Sequence, residues 1–211
     1  MIILGQNSAL LAGYLRRASS DCVSFQLYST LGVGIGVSRV DIEDNLEIAL
    51  QLWSLPNEQR RFDFTQGFAK GHSGAIIVVE ENELEHVPSL LTHLNEATED
   101  KVMFAVVGSI RAAERLAQNL QVTYKKNIEV VSMPDVLSSM PCLVKAMYSK
   151  DTENPKLPFI VSIPEEQCHE FHPQPGSSMM DPPTRDEIRE IKSLVRDWNV
   201  EVIQDTVIIN M

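Results

Sequence analysis

The sequence predicts an α/β fold, a three-layer sandwich with a mostly parallel sheet and one antiparallel hairpin. Three observations predict it. Residues 75–79 (AIIVV) and 102–107 (VMFAVV) are short, continuous apolar runs, as expected of strands covered on both faces. Amphipathic stretches separate such runs, and strands alternating with helices build parallel sheets. Residues 33–42 (VGIGVSRVDI) instead alternate Val33, Ile35 and Val37 with Gly34, Gly36 and Ser38, a strand with one crowded and one slim face. Glu43-Asp44-Asn45 is a turn signal, so residues 46–53 are its hairpin partner.

The remaining elements follow in order. Residues 1–4 read as a first strand ending at Gly5, and Leu10, Leu11, Tyr14 and Leu15 mark a helix after it. Residues 23–28 form a second strand. Leu84, Val87, Leu90, Leu91 and Leu94 fit an amphipathic helix over 84–94, behind an acidic run (Glu80, Glu81, Glu83) that the helix dipole favours. A helix over 112–120, a short strand over 128–131 and a helix over 136–147, interrupted near Pro141, complete a domain of residues 1–150. Residues 151–211 read as an ordered C-terminal extension packed on that domain. They comprise a strand at 159–163, a loop rich in Pro, Gly and Ser over 173–183, a helix from Thr184 and a β-rich end. Thr184 and Glu187 form a capping-box pattern, and Ile188, Ile191, Val195 and Trp198 share one face.

Composition excludes several functions. The 211 residues carry a net charge of −11, and such a surface repels nucleic acid and anionic lipid. Three widely spaced cysteines (Cys22, Cys142, Cys168) point to a reducing compartment rather than a disulfide framework. No signal peptide, spanning segment or C-terminal prenylation cysteine is expected, so the reading is a soluble cytoplasmic protein without a lipid anchor.

Residues 30–79 carry the functional signal. TLGVGIGVSRVDI is similar to T-x-G-V-x-F-x-x-x-x-V-x-I, LWSLPNEQRRF to W-D-x-x-G-Q-E-R with its following aromatic, and FAKGHSGAIIVV to Y-Y-R-G-A-x-G-A-I-I-V-Y. The register holds without an insertion. In these motifs residues 1–150 resemble the Rab branch of the Ras-like small GTPases, which implies a Ras-like, P-loop-type fold and a nucleotide cleft.

Each nucleotide motif of that resemblance is altered. A phosphate-binding loop needs G-x-x-x-x-G-K-[ST], because backbone amides cradle phosphates, the lysine neutralises them and the hydroxyl meets Mg²⁺. The matching run is Gly5 to Ala12, with Leu10, Leu11 and Ala12 in place of the second Gly, the Lys and the hydroxyl residue. Leucines beside a triphosphate leave its charges uncompensated, at a cost on the order of several kcal/mol. Thr30 matches the switch I threonine. Ser54 stands for the metal-binding Asp, Asn57 for the switch II Gly, and Glu58 or Gln59 for the water-orienting Gln. Ser109 to Ala112 stands for the guanine-reading N-K-x-D, so Ala112 removes its carboxylate, and Ser132-Met133-Pro134 replaces the S-A-K loop. These losses predict a degenerate pseudo-GTPase with no catalytic residues, no cofactor and no metal.

The resemblance implies that a recognition surface remains. Ile35, Trp53 and Phe68 match the aromatic triad through which Rab-like proteins bind effectors, and Arg60, Arg61, Phe62 and Phe64 extend it. Spacing alone leaves Trp53 open between a core tryptophan covering the sheet and a partner-facing one. Cys168, His169 and His172 lack a second ligand pair at distance and read as a polar loop, and His72 reads as solvated.

Two functions follow from different classes. The first is a non-catalytic interaction or scaffold subunit, in membrane trafficking or signalling. Its protein partners have basic faces, and it reaches membranes only through them. The alternative is an atypical GTPase with weak or altered nucleotide use, for which no replacement cation stands near Gly5. A receiver-like module is a third reading, disfavoured because residues 2–6 hold no acidic side chain.

Overall fold

The computed structural model describes residues 1–20, 23–24, 33–43, 46–55, 72–94, 98, 100–148, 155–164, 200–203 and 206–209. The chain divides into two units, Met1–Ser177 and Ser178–Met211.

The first unit is built on an eight-stranded sheet. Its strands are β1 (Ile2–Leu4), β2 (Val23–Ser24), β3 (Gly34–Glu43), β4 (Leu46–Ser54), β5 (Ala75–Glu80), β6 (Val102–Val107), β7 (Glu129–Ser132) and β8 (Phe159–Ile163). They lie in the order β2-β3-β4-β1-β5-β6-β8-β7. β2, β3 and β4 pair antiparallel, and every other neighbour pair is parallel. The expected α/β architecture is therefore present.

Helices cover both faces. On one face lie α1 (Ser8–Ala18) and α4 (Ser139–Tyr148), whose Leu11, Tyr14, Leu15, Leu143 and Val144 join Ile3, Leu52, Ile76 and Val161 in one core cluster. On the other lie a 3-10 helix (Glu81–His86), α2 (Val87–Leu91) and α3 (Ile110–Tyr124). There Val87, Leu90, Leu116 and Leu120 pack with Ile2, Ile77, Phe104 and Ile160. Period-two alternation in each strand sends successive side chains to opposite layers, so β1, β5, β6 and β8 are buried on both sides.

The slim face of β3 has a clear purpose. A Cβ on Gly36 would lie 2.1 Å from Ser19 Oγ and 3.1 Å from Leu15 Cδ1, so glycine lets the C-terminal end of α1 rest directly on the hairpin. Ser19 Oγ is itself fixed, donating to the Leu15 carbonyl at 2.7 Å.

Several elements differ from expectation. The helix expected over 84–94 is a 3-10 segment followed by the five-residue α2. Pro88 has no N–H and is tolerated only in the first turn of an α-helix, so the α-helix begins beside it. Pro141 likewise sits in the first turn of α4, and the helix starts at Ser139 rather than breaking there. Residues 159–163, expected in the extension, are an interior strand: β8 inserts between β6 and β7. Of the second strand, only Val23–Ser24 are described. The helix expected from Thr184 and the Cys168–His172 run lie outside the described residues. In the second unit β9 (Val200–Ile203) and β10 (Thr206–Ile209) form an antiparallel hairpin. Among the described residues no helix is long and apolar enough to cross a membrane.

Candidate functional site

The β1–α1 turn is the position that the resemblance matches to a phosphate loop. It is short, because β1 ends at Leu4 and α1 begins at Ser8. Asn7 caps the helix. Its Oδ1 accepts from the amides of Ala9 at 3.0 Å and Leu10 at 3.1 Å, and its carbonyl accepts from Leu11 N at 3.0 Å. The Asn7 side chain thus takes two amides at the positive end of α1, and the Leu11 amide makes the first intrahelical bond. Helix N-termini attract anions because their first amides lack intrahelical partners; an Asn cap fills part of that vacancy.

Side chains close the rest of the space. Leu10 and Leu11 are buried in the α1–α4 core cluster, while Ala12 is half-buried. A Cβ on Gly5 would lie 2.5 Å from the Val78 carbonyl oxygen and 3.0 Å from Leu11 Cδ2. Gly5 is required here by the close approach of β5 and of Leu11. Ser54 ends β4 opposite Gly34; it is buried, and its Oγ has no hydrogen-bond partner.

The position of the guanine-reading motif is also internally occupied. Ser109 caps α3, its Oγ accepting from Ala112 N at 3.3 Å, and Ala112 is buried against the sheet. Glu81 reaches across from the end of β5. Its Oε2 accepts from Ser109 N at 3.1 Å and from Ser109 Oγ at 2.8 Å, and Oε1 accepts from Arg115 at 3.1 Å. The Ser109 hydroxyl, then its backbone amide, and lastly Arg115 hold the Glu81 carboxyl below the usual range, against the opposing effect of desolvation. Gly108 makes the approach possible: its φ is +140°, and a Cβ there would sit 2.9 Å from Glu81 Cβ. The acidic run places Glu81 and Glu83 in the first turn of the 3-10 segment, as expected, although no side chain caps it. Glu81 also complements α3, 28 residues away in sequence. Sequence reasoning missed this role, since neither the pairing of β5 with β6 nor the turn geometry is encoded locally.

The hairpin's outer face carries the described part of the expected partner surface. Ile35 and Trp53 are directly opposite across the β3–β4 ladder. Both are half-buried and pack on the edge of the α2–α3 core cluster. The His72 ring stands edge-on to Trp53, centroids 6.3 Å apart, so His72 is half-buried rather than solvated. Val37 and Gln51 continue the face as a half-exposed pair, ending in an exposed ion pair of Arg39 with Glu47 at 2.8 Å. The structure thus brings Gly5, Leu10, Leu11 and Ala12 together at one turn, and Ile35 and Trp53 together on one face. Thr30, Asn57, Arg60, Arg61, Phe62, Phe64 and Phe68 lie outside the described residues. Among the described residues no three His, Cys, Asp or Glu side chains gather within reach of one metal ion.

Comparison with known proteins places this geometry. The chain is 25% identical over 134 residues to the Ras-related protein RabC of Dictyostelium discoideum, covering 62% of this chain and 67% of that one. It is 26% identical over 112 residues to the Ras-related protein Rab-11C of the same organism, covering 52% of this chain and 50% of that one. The chain is similar to Rab-type small GTPases. The GTP-binding protein YPTM1 of Zea mays matches at 25% over the same length, again with about half of each chain covered (52% and 53%). The Rab-like match and the helix-covered, mostly parallel sheet together show a Ras-like α/β fold. No protein-family model matches the chain.

Proposed function

We propose that this Rab-like chain is a non-catalytic, pseudo-GTPase interaction module that serves as a scaffold or complex subunit. The observation that carries the reading is the β1–α1 turn, where the Asn7 side chain takes the amides of Ala9 and Leu10 and Leu11 fills the space beside Gly5. A phosphate entering there would have to displace the Asn7 cap and part Leu11 from Gly5, with no cation gained in exchange. The Glu81 carboxylate at the start of α3 supports the same reading, because its oxygens are already engaged by Ser109 and Arg115 within the chain.

Without a γ-phosphate to order its switches, such a module holds one conformation and acts constitutively. Its partner face is the outer side of the β3–β4 hairpin, with Ile35 and Trp53 as apolar anchors. The net charge of −11 favours protein partners with basic faces, which would also be its route to a membrane in trafficking or signalling.

The test is thermal unfolding with Mg·GTP, Mg·GDP and Mg·ATP. A ligand at 100-fold over its Kd stabilises by about 2.7 kcal/mol, a rise on the order of 5–10 °C for a chain of this size. The expected outcome is no shift with any nucleotide up to millimolar concentration. A saturable rise with one of them returns the chain to the nucleotide-binding GTPases.

A further inference from the structure

On the α2–α3 side of the sheet, away from the hairpin, lies an open groove of about 400 Å³. One wall is the 3-10 segment and α2, contributing Leu84, Val87, Pro88 and Leu91; the other is α3, contributing Leu116 and Leu120. α2, which forms part of the first wall, is five residues long. Leu84 and Leu91 remain half-exposed there although both pack on the core.

The α3 wall has helical spacing. Leu116, Asn119, Leu120 and Thr123 line the groove at i, i+3, i+4 and i+7, a ridge of about 10 Å or two helical turns. Such a ridge facing an apolar wall is the shape into which a second helix lays its own apolar stripe.

Charge selects among occupants. From Glu80 to Leu94 the chain has four carboxylates and no lysine or arginine. Glu81 is neutralised by Arg115, whereas Glu85 lines the groove with its side chain 80% exposed, 3.9 Å from His86. One carboxylate oxygen of Glu83 is buried with no hydrogen-bond partner. On α3, Arg111 and Glu114 offset one another. A second copy related by a two-fold axis would set the same acidic rim against itself, which like-charge repulsion disfavours. A small polar ligand would find few converging polar groups on these walls.

We propose that this groove docks a basic amphipathic helix of a protein partner. Two or three aliphatic side chains of that helix lie between Leu84, Leu91, Leu116 and Leu120, and its lysines or arginines face Glu85. The groove is separate from the β1–α1 turn and from the hairpin face, so the proposal stands whether or not the chain binds nucleotide.

The test uses the full chain, ¹⁵N-labelled, titrated with a synthetic amphipathic Leu/Lys peptide and with its Leu/Glu counterpart. The Leu/Lys peptide is expected to bind saturably, shifting the amides of residues 84–92 and 116–123, while the Leu/Glu peptide does not bind. Asn119→Arg and Glu85→Lys change exposed positions and are expected to keep the fold while weakening the peptide about tenfold or more. Glu129→Lys on the distant β7, which makes the same charge change, is expected to alter affinity less than about twofold. Absence of saturable binding up to about 1 mM overturns the proposal. So does equal weakening by Glu129→Lys, which would reduce the interaction to general charge attraction. A self-association that Asn119→Arg abolishes would assign the groove to a second copy and also overturn it.

Discussion

The two faces of the β3–β4 hairpin come from the same strands and have opposite characters. Gly34, Gly36, Ser38, Leu50, Leu52 and Ser54 are all buried on the face beneath the helices. Ile35, Val37, Gln51 and Trp53 on the other face are only half-buried, and Arg39, Glu47 and Ala49 are exposed. The inner face is slim because α1 must lie close to it; the outer face keeps larger side chains that the described residues leave partly open. One face has been shaped by packing. The other retains apolar area that packing among the described residues does not consume, as a recognition surface does.

Truncation separates the faces most strongly. Leu52→Ala on the inner face is expected to destabilise the protein by about 2–5 kcal/mol, through lost transfer energy and a cavity. Val37→Ala on the outer face should cost less than about 1 kcal/mol. Denaturant unfolding of the two variants compares them directly; equal losses would mean that the outer face is as closely packed as the inner one.

Enlarging the slim face tests it from the other direction. Gly36→Val places a side chain where Ser19 Oγ and Leu15 already sit, and the Ser19 bond to the Leu15 carbonyl must yield. A loss of about 1–3 kcal/mol is expected from overpacking, read as a lower denaturant midpoint. A neutral result would show that α1 can lift from the hairpin without cost.

The closed β1–α1 turn extends the inner face. Asn7→Ala removes the cap and is expected to cost about 1 kcal/mol. The Ala9 and Leu10 amides would then be free, so nucleotide-induced stabilisation is the second quantity to measure. None is expected, since Leu10 and Leu11 remain buried in place.

The smallest effect belongs to Glu81, which is exposed. Its carboxyl is held below the usual range in the folded chain, so the stability it adds is present above the unfolded-state pKa. That stability disappears as pH falls through the folded value. Melting temperatures of wild type and Glu81→Gln should therefore differ at neutral pH and converge as pH falls through the lowered folded-state value. A difference that persists unchanged to low pH would assign the effect of the substitution to something other than the carboxylate charge.

Much of the fold was legible because burial on two faces leaves continuous apolar runs, as at 75–79 and 102–107, while the hairpin alternates. The burial of Leu10 and Leu11 at the β1–α1 turn follows from their apolar residue type. Trp53 was legible only as an alternative: spacing cannot tell a half-buried ring from a buried one. Position 88 shows a local rule that was available but outweighed by the apolar period, for Pro88 set the start of α2 despite the helical spacing of Leu84, Val87 and Leu91.

By itself, then, the sequence determined the kinds of elements, the slim and crowded faces of β3, and the apolar residue types of the β1–α1 turn. These are properties of adjacent residues and their periodicity. Only the tertiary structure decided that β8 enters between β6 and β7, that the Asn7 side chain takes the amides of Ala9 and Leu10, and that Glu81 serves a helix 28 residues further on. Strand order and cross-turn contacts depend on which distant surfaces meet, and that is fixed by the packing of the whole sheet rather than by local sequence.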